Sequence, residues 1–211
     1  DRAAEALALH LASDSGGDGG ISQAVLIKRL ATEHRVTVVT PVDDGTLRHF
    51  DRESRTLSID RALPAETQRF LLALHLAALE LDREISAIKA DAAVRSKVAR
   101  DILASGLVNY AAGALLMPYG RFRDSARALR HDIDRLRQLF GVSFEQACHR
   151  LSTLQRPGQR GIPFFFCRVD MAGNITKRHS ATRLQFARFG GACPLWIVHE
   201  AVAIPDRILV Q

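Results

Sequence analysis

The sequence predicts an α+β fold: a mostly helical domain with a small sheet, followed by a smaller β-containing unit. The helices are predicted because apolar residues recur at helical spacing in Thr67–Leu81 and again in Leu107–Pro118. The sheet is predicted because three short segments between residues 35 and 59 are rich in strand-forming residues. From Ile162 the period of the pattern changes, which indicates that strands return near the end of the chain.

The first sixty residues predict two helices and three strands. Asp1–Ala12 and Ile21–His34 have helical spacing, and the polar run SDSGGDGG between them is typical of a flexible connection. The predicted strands are Arg35–Thr40, Thr46–Phe50 and Arg55–Ile59. We expect this small sheet to pack on the long helices that follow it.

The helix predicted at Thr67–Leu81 is apolar nearly all round, which is typical of a helix buried in a core. A zinc-peptidase helix carries two His four residues apart, with a Glu beside the first as general base. Here the five residues from His75 read H-L-A-A-L, so Leu76 takes the position of the base and Leu79 that of the second His. Glu80 cannot replace them, because five helical residues turn it about 140° away. We expect His75 to be a neutral core histidine with a hydrogen-bonded neighbour.

A long helical region is predicted from Ile85 to about Ala114, and Pro118 ends it. The helices predicted next are Tyr119–His131, Asp132–Phe140 and, after a tight turn at Gly141, Ser143–Leu154, with Ser143 as the N-cap. The last pair also matches a DNA-binding helix-turn-helix, with Gln146, His149 and Arg150 available for base contacts. We favour a structural role for this pair. Its apolar side chains are expected to be packed, namely Phe144, Ala147, Leu151 and Leu154.

The end of the chain predicts a β-hairpin. The runs PFFFCRV and NITKRH flank Ala172 and Gly173, a turn signal between two apolar or β-branched segments. We place the domain boundary near Pro157, in the loop QRPGQRG. The predicted domains are therefore residues 1–156 and 157–211.

Composition limits the classes of partner. The net charge is +6, and only four of the 29 basic residues are Lys, the rest being Arg. Arg suits bidentate contacts with phosphate or carboxylate, so the excess indicates either an anionic partner or only a GC-rich genome. No apolar run reaches the roughly 20 residues needed to cross a bilayer, and no charged-then-apolar leader precedes Asp1. We therefore expect no membrane partner and a cytoplasmic protein. The three Cys are far apart in the sequence and do not form a disulfide framework, which agrees with a reducing compartment.

The two long apolar helices resemble those of the ImmA/IrrE type of metallopeptidase domain. That family places H-E-x-x-H on a first helix and E-A-N-x-F-A-x-x-L-L-M-P on a second, and residues 115–118 read LLMP with Asn109 in step. The resemblance implies a zincin-like fold and puts Leu107 at the third ligand position, which is normally Glu. Two of the three zinc ligands and the base are missing, so we interpret the domain as a pseudo-peptidase with no catalytic residues.

Residues 140–181 and the run FARFGGACPLWIVHEA carry a narrower resemblance, to the short-chain fatty acyl-CoA-responsive transcription regulators of bacteria. Those regulators control genes of propionate, acetate or glyoxylate metabolism. The resemblance implies a ligand-sensing piece that binds CoA or a short-chain acyl-CoA, such as propionyl-CoA or acetyl-CoA, and forms a homo-oligomer. DNA would be bound by a separate N-terminal helix-turn-helix outside this sequence. Cys193 is either an iron-sulfur ligand with partners beyond Gln211, as the family implies, or an inert loop thiol.

On this resemblance we predict an acyl-CoA site in the vacated peptidase cleft, between the His75 helix and the Tyr110 helix. The predicted ligand-binding residues are Tyr110, Asn109, His75, Leu76, Leu79, Leu107, Arg69 and Arg100. The three Leu would line an apolar pocket, Tyr110 and Asn109 would donate directed hydrogen bonds, and the two Arg would bind phosphates. The alternatives are a helix-turn-helix DNA-binding module and a metallohydrolase whose ligands come from elsewhere.

Overall fold

A computed structural model of the chain describes residues 1–13, 20–41, 46–94, 96–172, 174–180 and 197–204. The helices are α1 Arg2–Ser13, α2 Gln23–His34, α3 Ala65–Glu80, α4 Asp82–Asp91, α5 Lys97–Leu116, α6 Tyr119–Ala128, α7 Ile133–Phe140, α8 Phe144–Ser152 and α9 Ile197–Ala203. The strands are β1 Thr37–Val39, β2 Arg48–Asp51, β3 Thr56–Ile59, β4 Phe165–Val169 and β5 Ile175–Ser180. The predicted α+β class is confirmed.

The chain forms two compact units, residues 1–147 and 148–211, and each is described by itself. A division into compact units does not fix where a family domain ends, so the boundary near Pro157 stays a prediction. Among the described residues no single helix is long and apolar enough to span a membrane, although α5 and α6 reach that length and composition as a bent pair.

The small sheet of the first unit has the strand order β1-β3-β2. β3 pairs in parallel with β1 and antiparallel with β2, with Leu57 opposite both Val38 and Phe50. Leu57 and Ile59 alternate with polar residues and are buried, as expected for a strand with one face on a core. All three strands lie within or next to their predicted segments. β2 is an edge strand of this sheet, and it is the strand that supplies side chains to the site below.

α3 is the central helix of the first unit. It begins after Pro64, whose fixed φ suits a helix start, and contacts both α2 and α5. Its middle turns are buried, with Leu72, Ala73, Leu76 and Ala77 at most 2% exposed. The predicted burial of this stretch is thus confirmed, and it places His75 inside the unit.

The prediction of one long helical region from Ile85 to about Ala114 is wrong in one respect, because this region forms two helices, α4 and α5. α4 ends at Asp91, and Ala92 is extended. Ser96 then caps a new helix, since its hydroxyl accepts a hydrogen bond from the Ala99 amide at 3.1 Å. Neither Gly nor Pro marks the break, so the helical period alone did not reveal it.

The α7–α8 pair forms as predicted. Asp132 accepts a hydrogen bond from the Arg135 amide at 3.0 Å, and Gly141 ends α7 at a φ of +57°. Ser143 and Gln146 exchange reciprocal cap hydrogen bonds of 3.0 and 3.1 Å at the start of α8. Phe144 departs from the prediction, because it lies in the first turn of α8 and is 50% exposed.

α6 is shorter than its predicted range. It ends at Ala128, and both Arg130 and His131 then adopt a left-handed conformation. The His131 amide donates to the Ala126 carbonyl at 2.7 Å, which closes the end of the helix.

The second unit contains the predicted hairpin. β4 and β5 pair antiparallel, and an irregularity lies between Arg168 and Val169. The turn is held by Asp170, whose carboxylate accepts the backbone amides of Ala172 and Asn174 at 2.9 and 2.8 Å. These hydrogen bonds, first of all those from Asn174, lower the pKa of Asp170.

Candidate site at the vacated metal position

His75 contacts two residues of the edge strand β2. Arg48 and Phe50 are two apart in β2, so their side chains share one face of the sheet. The Arg48 Nη2 atom lies 2.9 Å from Nδ1 of His75, and the Phe50 ring lies 4.4 Å from the imidazole, centroid to centroid. The predicted hydrogen-bonded neighbour of His75 is therefore Arg48. Sequence reasoning missed both strand residues, although the alternation of Arg48, His49 and Phe50 was a signal for their shared face.

The charge state of His75 follows from this environment. His75 is only 5% exposed, and burial is the main cause that lowers its pKa to about 4, with the charge of Arg48 the next cause. The imidazole is therefore neutral near pH 7. Because a guanidinium can only donate, Nδ1 must accept the Arg48 hydrogen bond and Nε2 must carry the proton.

The residues present do not fit a catalytic zinc ion. A zinc site needs at least three protein ligands with free lone pairs, and here Arg48 occupies one nitrogen of His75. Leu76, Leu79 and Leu107 offer no donor atoms at the family's remaining positions. In the described part of the chain no three His, Cys, Asp or Glu side chains are grouped so that they could hold a metal.

The three Leu differ in exposure. Leu76 is completely buried, whereas Leu79 and Leu107 are both half-buried. Leu79 lies one turn after His75 on the same face of α3. α3 and α5 contact each other directly, and the side chains of Leu79 and Leu107 are partly exposed to solvent.

Tyr110 and Asn109 project from α5 in directions that the sequence did not predict. The Tyr110 hydroxyl donates to the Asp1 carboxylate at 2.8 Å, beside α1. The exposed Asn109 amide donates to the Ser105 carbonyl of its own helix at 2.8 Å. At Gly113, no heavy atom of the described residues, apart from the neighbouring backbone of its own helix, lies within 4 Å of the place a Cβ would take. The ligand roles of Tyr110 and Asn109 stay predictions.

The two predicted phosphate-binding residues have different surroundings. Arg69 is half-buried and donates to the backbone carbonyls of Ile21 (3.4 Å) and Phe140, and burial lowers its pKa. Arg100 is exposed near the start of α5. A phosphate would have to displace carbonyl partners from Arg69 but would find Arg100 already in solvent. Their phosphate contacts stay predictions.

A cluster of charged side chains lies at the end of α3, one to two turns after His75. Glu80 accepts hydrogen bonds from Arg29 Nε at 2.7 Å and from His34 Nε2 at 3.0 Å. Burial opposes ionisation, but these hydrogen bonds prevail and lower the pKa of Glu80. Glu80 therefore pairs with side chains of α2 and does not serve the metal position, as the angle between Glu80 and His75 around the helix predicted.

A cavity of about 320 Å³ lies on the α1 and α2 side of the first unit. Its lining mixes apolar and charged side chains, namely Leu11, Val25, Lys28, Arg29, Thr32 and Glu33. None of the predicted ligand-binding residues lines it.

The surroundings of α8 do not favour base readout by its side chains. Of the three candidate contacts, Gln146 caps its own helix and Arg150 is 2% exposed. His149 lies against His179, with ring centroids 5.0 Å apart. A recognition helix must offer such side chains to the DNA groove.

Two of the three Cys lie in the described part of the chain. Cys148 is buried, and burial raises the pKa of Cys167, so neither has the character of a reactive thiolate. Cys193 lies outside the described residues, and its role as an iron-sulfur ligand stays a prediction.

Comparison with known proteins gives two family matches. Residues 31–152 match the IrrE N-terminal-like domain, and residues 153–211 match the C-terminal domain of the short-chain fatty acyl coenzyme A regulators. Both resemblances inferred from the residues are confirmed.

Similar curated proteins are transcription regulators by name. The propionyl-CoA carboxylase regulator of Cereibacter sphaeroides is 48% identical over all of this chain and 44% of its own length. The Mycobacterium tuberculosis regulators PrpR and RamB are 47% and 44% identical over 83% and 88% of this chain, and over 36% and 40% of their own lengths. The chain therefore spans less than half the length of these relatives.

A solved structure titled Mycobacterium tuberculosis transcriptional regulator has the same fold. It superposes with a TM-score of 0.88 at 42% identity, over 99% of this chain and 64% of that one. The chain belongs to the family of the IrrE N-terminal-like domain, joined here to the C-terminal domain of the short-chain fatty acyl coenzyme A regulators.

Proposed function

We propose that this chain is the ligand-sensing part of a transcription regulator, and that it binds a short-chain acyl-CoA without catalysing a reaction. The observation that carries the proposal is the altered metal position. A guanidinium contacts the remaining His75, and Leu stands at the other ligand positions. The names of the relatives and of the C-terminal family support the effector class.

The acyl group would bind in the vacated region between α3 and α5. Leu79 and Leu107 are half-buried there, so a short apolar chain could cover the surface that they leave open. An added methylene is worth about 0.8 kcal/mol of burial. Acetyl-CoA and propionyl-CoA should therefore differ only about fourfold in affinity, unless the pocket has a closed end.

Arg100 is the better of the two candidates for the CoA phosphates. It is exposed, whereas Arg69 holds two backbone carbonyls whose loss would leave buried acceptors unpaired. Arg100→Gln should weaken acyl-CoA binding and increase its dissociation rate, and it should reduce the dependence of binding on salt.

Regulation would require parts outside this chain. DNA would be bound by an N-terminal helix-turn-helix, the complete regulator would be a homo-oligomer, and Cys193 would join an iron-sulfur cluster with ligands beyond Gln211. In this proposal the chain alone binds DNA weakly and without sequence preference, because its Arg excess contacts only phosphates. A specific footprint by this chain at physiological salt would favour the DNA-binding alternative.

Calorimetry with CoA, acetyl-CoA and propionyl-CoA tests the proposal. Micromolar or tighter binding of the acyl-CoAs is expected. Leu79→Trp should block the acyl group, whereas Leu9→Trp, at a side chain that is 72% exposed on α1, is the matched control and should leave affinity unchanged. If none of the three compounds binds, the proposal fails. Stoichiometric zinc in the purified protein, lost in His75→Ala, would favour the metallohydrolase alternative.

A further inference from the structure

The positive charge of the chain is concentrated in its second unit. Residues 148–211 contain nine Arg and Lys but only three Asp and Glu. Residues 1–147 contain 20 of each sign, so the first unit has no net charge and the net charge of +6 comes from the second unit. Such an asymmetry between two parts of a chain indicates that the charged part meets an anionic partner.

The hairpin of β4 and β5 places like charges opposite each other. Arg168 on β4 is the direct partner of Lys177 on β5, and both side chains are exposed. The Cβ atoms of such a pair lie about 5 Å apart on one face of the sheet, and like charges there are destabilising. Arg178, the next residue of β5, is exposed on the other face. An anion between Arg168 and Lys177 would offset their repulsion, so this arrangement favours a bound anion.

The hairpin keeps a net positive charge at neutral pH. Asp170 is the single acidic residue between positions 164 and 180, against three Arg and Lys. Its carboxylate holds the turn, where it accepts the Ala172 amide at 2.9 Å and the Asn174 amide at 2.8 Å. Even with Asp170 fully ionised, the hairpin has a net charge of +2.

We propose that the β4–β5 hairpin binds the phosphate backbone of duplex DNA. The inference goes beyond the proposed function and rests only on the part of it that places this chain in a DNA-binding regulator. A polyanion suits the second unit better than one small anion, because its basic residues are distributed from position 150 to position 207. Backbone phosphates are the same in every sequence, so this contact adds affinity without sequence preference. The hairpin would hold DNA whose sequence another domain reads.

The test measures how the affinity for DNA depends on salt. A labelled duplex of random sequence is titrated with the chain, and fluorescence anisotropy is followed at salt concentrations from about 50 to about 200 mM. Each phosphate contact contributes about 0.9 to the slope of log affinity against log salt, so Arg168→Gln with Lys177→Gln should reduce the slope by about 1.8. Lys177→Gln alone, which retains the 3.0 Å hydrogen bond from Arg168 to Thr176, should reduce it by about 0.9.

The matched control removes the same charge from the first unit. Arg52→Gln with Arg83→Gln replaces two exposed Arg there and should change the slope by less than about 0.5. Lys177→Arg keeps the charge and should retain the slope. The thermal midpoint of the hairpin double variant should not fall, because the substitutions remove like charges that face each other. A reduced slope at an unchanged midpoint therefore reports lost DNA contacts and not unfolding.

Three results would overturn the inference. Equal slopes for the hairpin variants and the control would show that the hairpin makes no phosphate contact. Equally tight and equally variant-sensitive binding to phosphatidylserine vesicles would favour a lipid surface. Weaker acyl-CoA binding by the hairpin variants in calorimetry, with DNA binding unchanged, would favour a site for the CoA phosphates. If no acyl-CoA binds but the slopes change as expected, the proposed effector fails and the DNA contact stands.

Discussion

Glu80→Gln should lower the free energy of unfolding by about 2 kcal/mol, because it breaks the charge cluster that joins α2 to α3. Glu80 accepts hydrogen bonds from Arg29 at 2.7 and 3.2 Å and from His34 at 3.0 Å. The Glu80 side chain is 13% exposed, and those of Arg29 and His34 are each 21% exposed. Breaking a fully buried ion pair costs about 3–5 kcal/mol. Partial exposure and the retained amide oxygen reduce this figure.

Arg29 supplies its own control, because it also pairs with Glu33. That contact is 3.7 Å long, and the Glu33 side chain is 51% exposed. An exposed pair at this helical spacing is worth about 0.5 kcal/mol or less. Glu33→Gln removes the same charge from the same partner and should change stability by no more than that.

Urea unfolding followed by circular dichroism measures both variants. With a slope of about 2 kcal/mol per molar urea, Glu80→Gln should move the midpoint down by about 1 M and Glu33→Gln by less than about 0.3 M. The pKa of Glu80 is lowered, so its stabilisation is present above the ordinary value of 4.5 and is lost as the pH falls through the lower folded value. The gap between the unaltered protein and Glu80→Gln should therefore close in acid. Equal effects of the two variants at pH 7 would show that the Glu80 cluster does not stabilise the fold in this way.

Three further predictions concern single residues. Gly113→Ala should raise the free energy of unfolding by roughly 0.5–1 kcal/mol, because the space beside it is open and Ala favours a helix; a loss of stability would show that the space is filled. The free energy of unfolding should fall by about 3 kcal/mol between pH 6.5 and pH 4, because in this range the unfolded chain binds a proton at His75, whereas the folded chain, in which the pKa of His75 is about 4, does not. Urea unfolding of His75→Gln across the same range should show that this contribution is lost. In a longer protein that includes the proposed cluster ligands beyond Gln211, Cys193→Ser should reduce bound iron, and unchanged iron content would leave Cys193 as a loop thiol.

The sequence predicted well what depends on local pattern. The apolar period of Thr67–Leu81 identified the buried helix, and Asp132, Gly141 and Ser143 located the ends of α7 and α8 through their hydrogen-bonding and backbone preferences. Leu76 and Leu79 revealed the loss of the metal ligands without any structure, because the spacing of a helical zinc site is fixed.

What the sequence could not predict depends on how distant elements meet. Arg48 reaches His75 only because the strand order places β2 at the sheet edge beside α3, and no local pattern connects residues 27 positions apart. The direction of Tyr110 depends on Asp1, which lies directly before α1 and accepts the hydrogen bond from the Tyr110 hydroxyl. The end of α4 was missed because the local pattern was misleading. Ala92 and its neighbours suit a helix, and only the cap at Ser96 divides the region into two helices.

The most direct test is a crystal structure of this chain with propionyl-CoA. We expect an acyl group between α3 and α5, beside Leu79 and Leu107, and no metal ion on His75. An acyl-CoA bound wholly elsewhere, for example in the cavity lined by Lys28 and Thr32, or a metal ion coordinated by His75, would contradict this expectation.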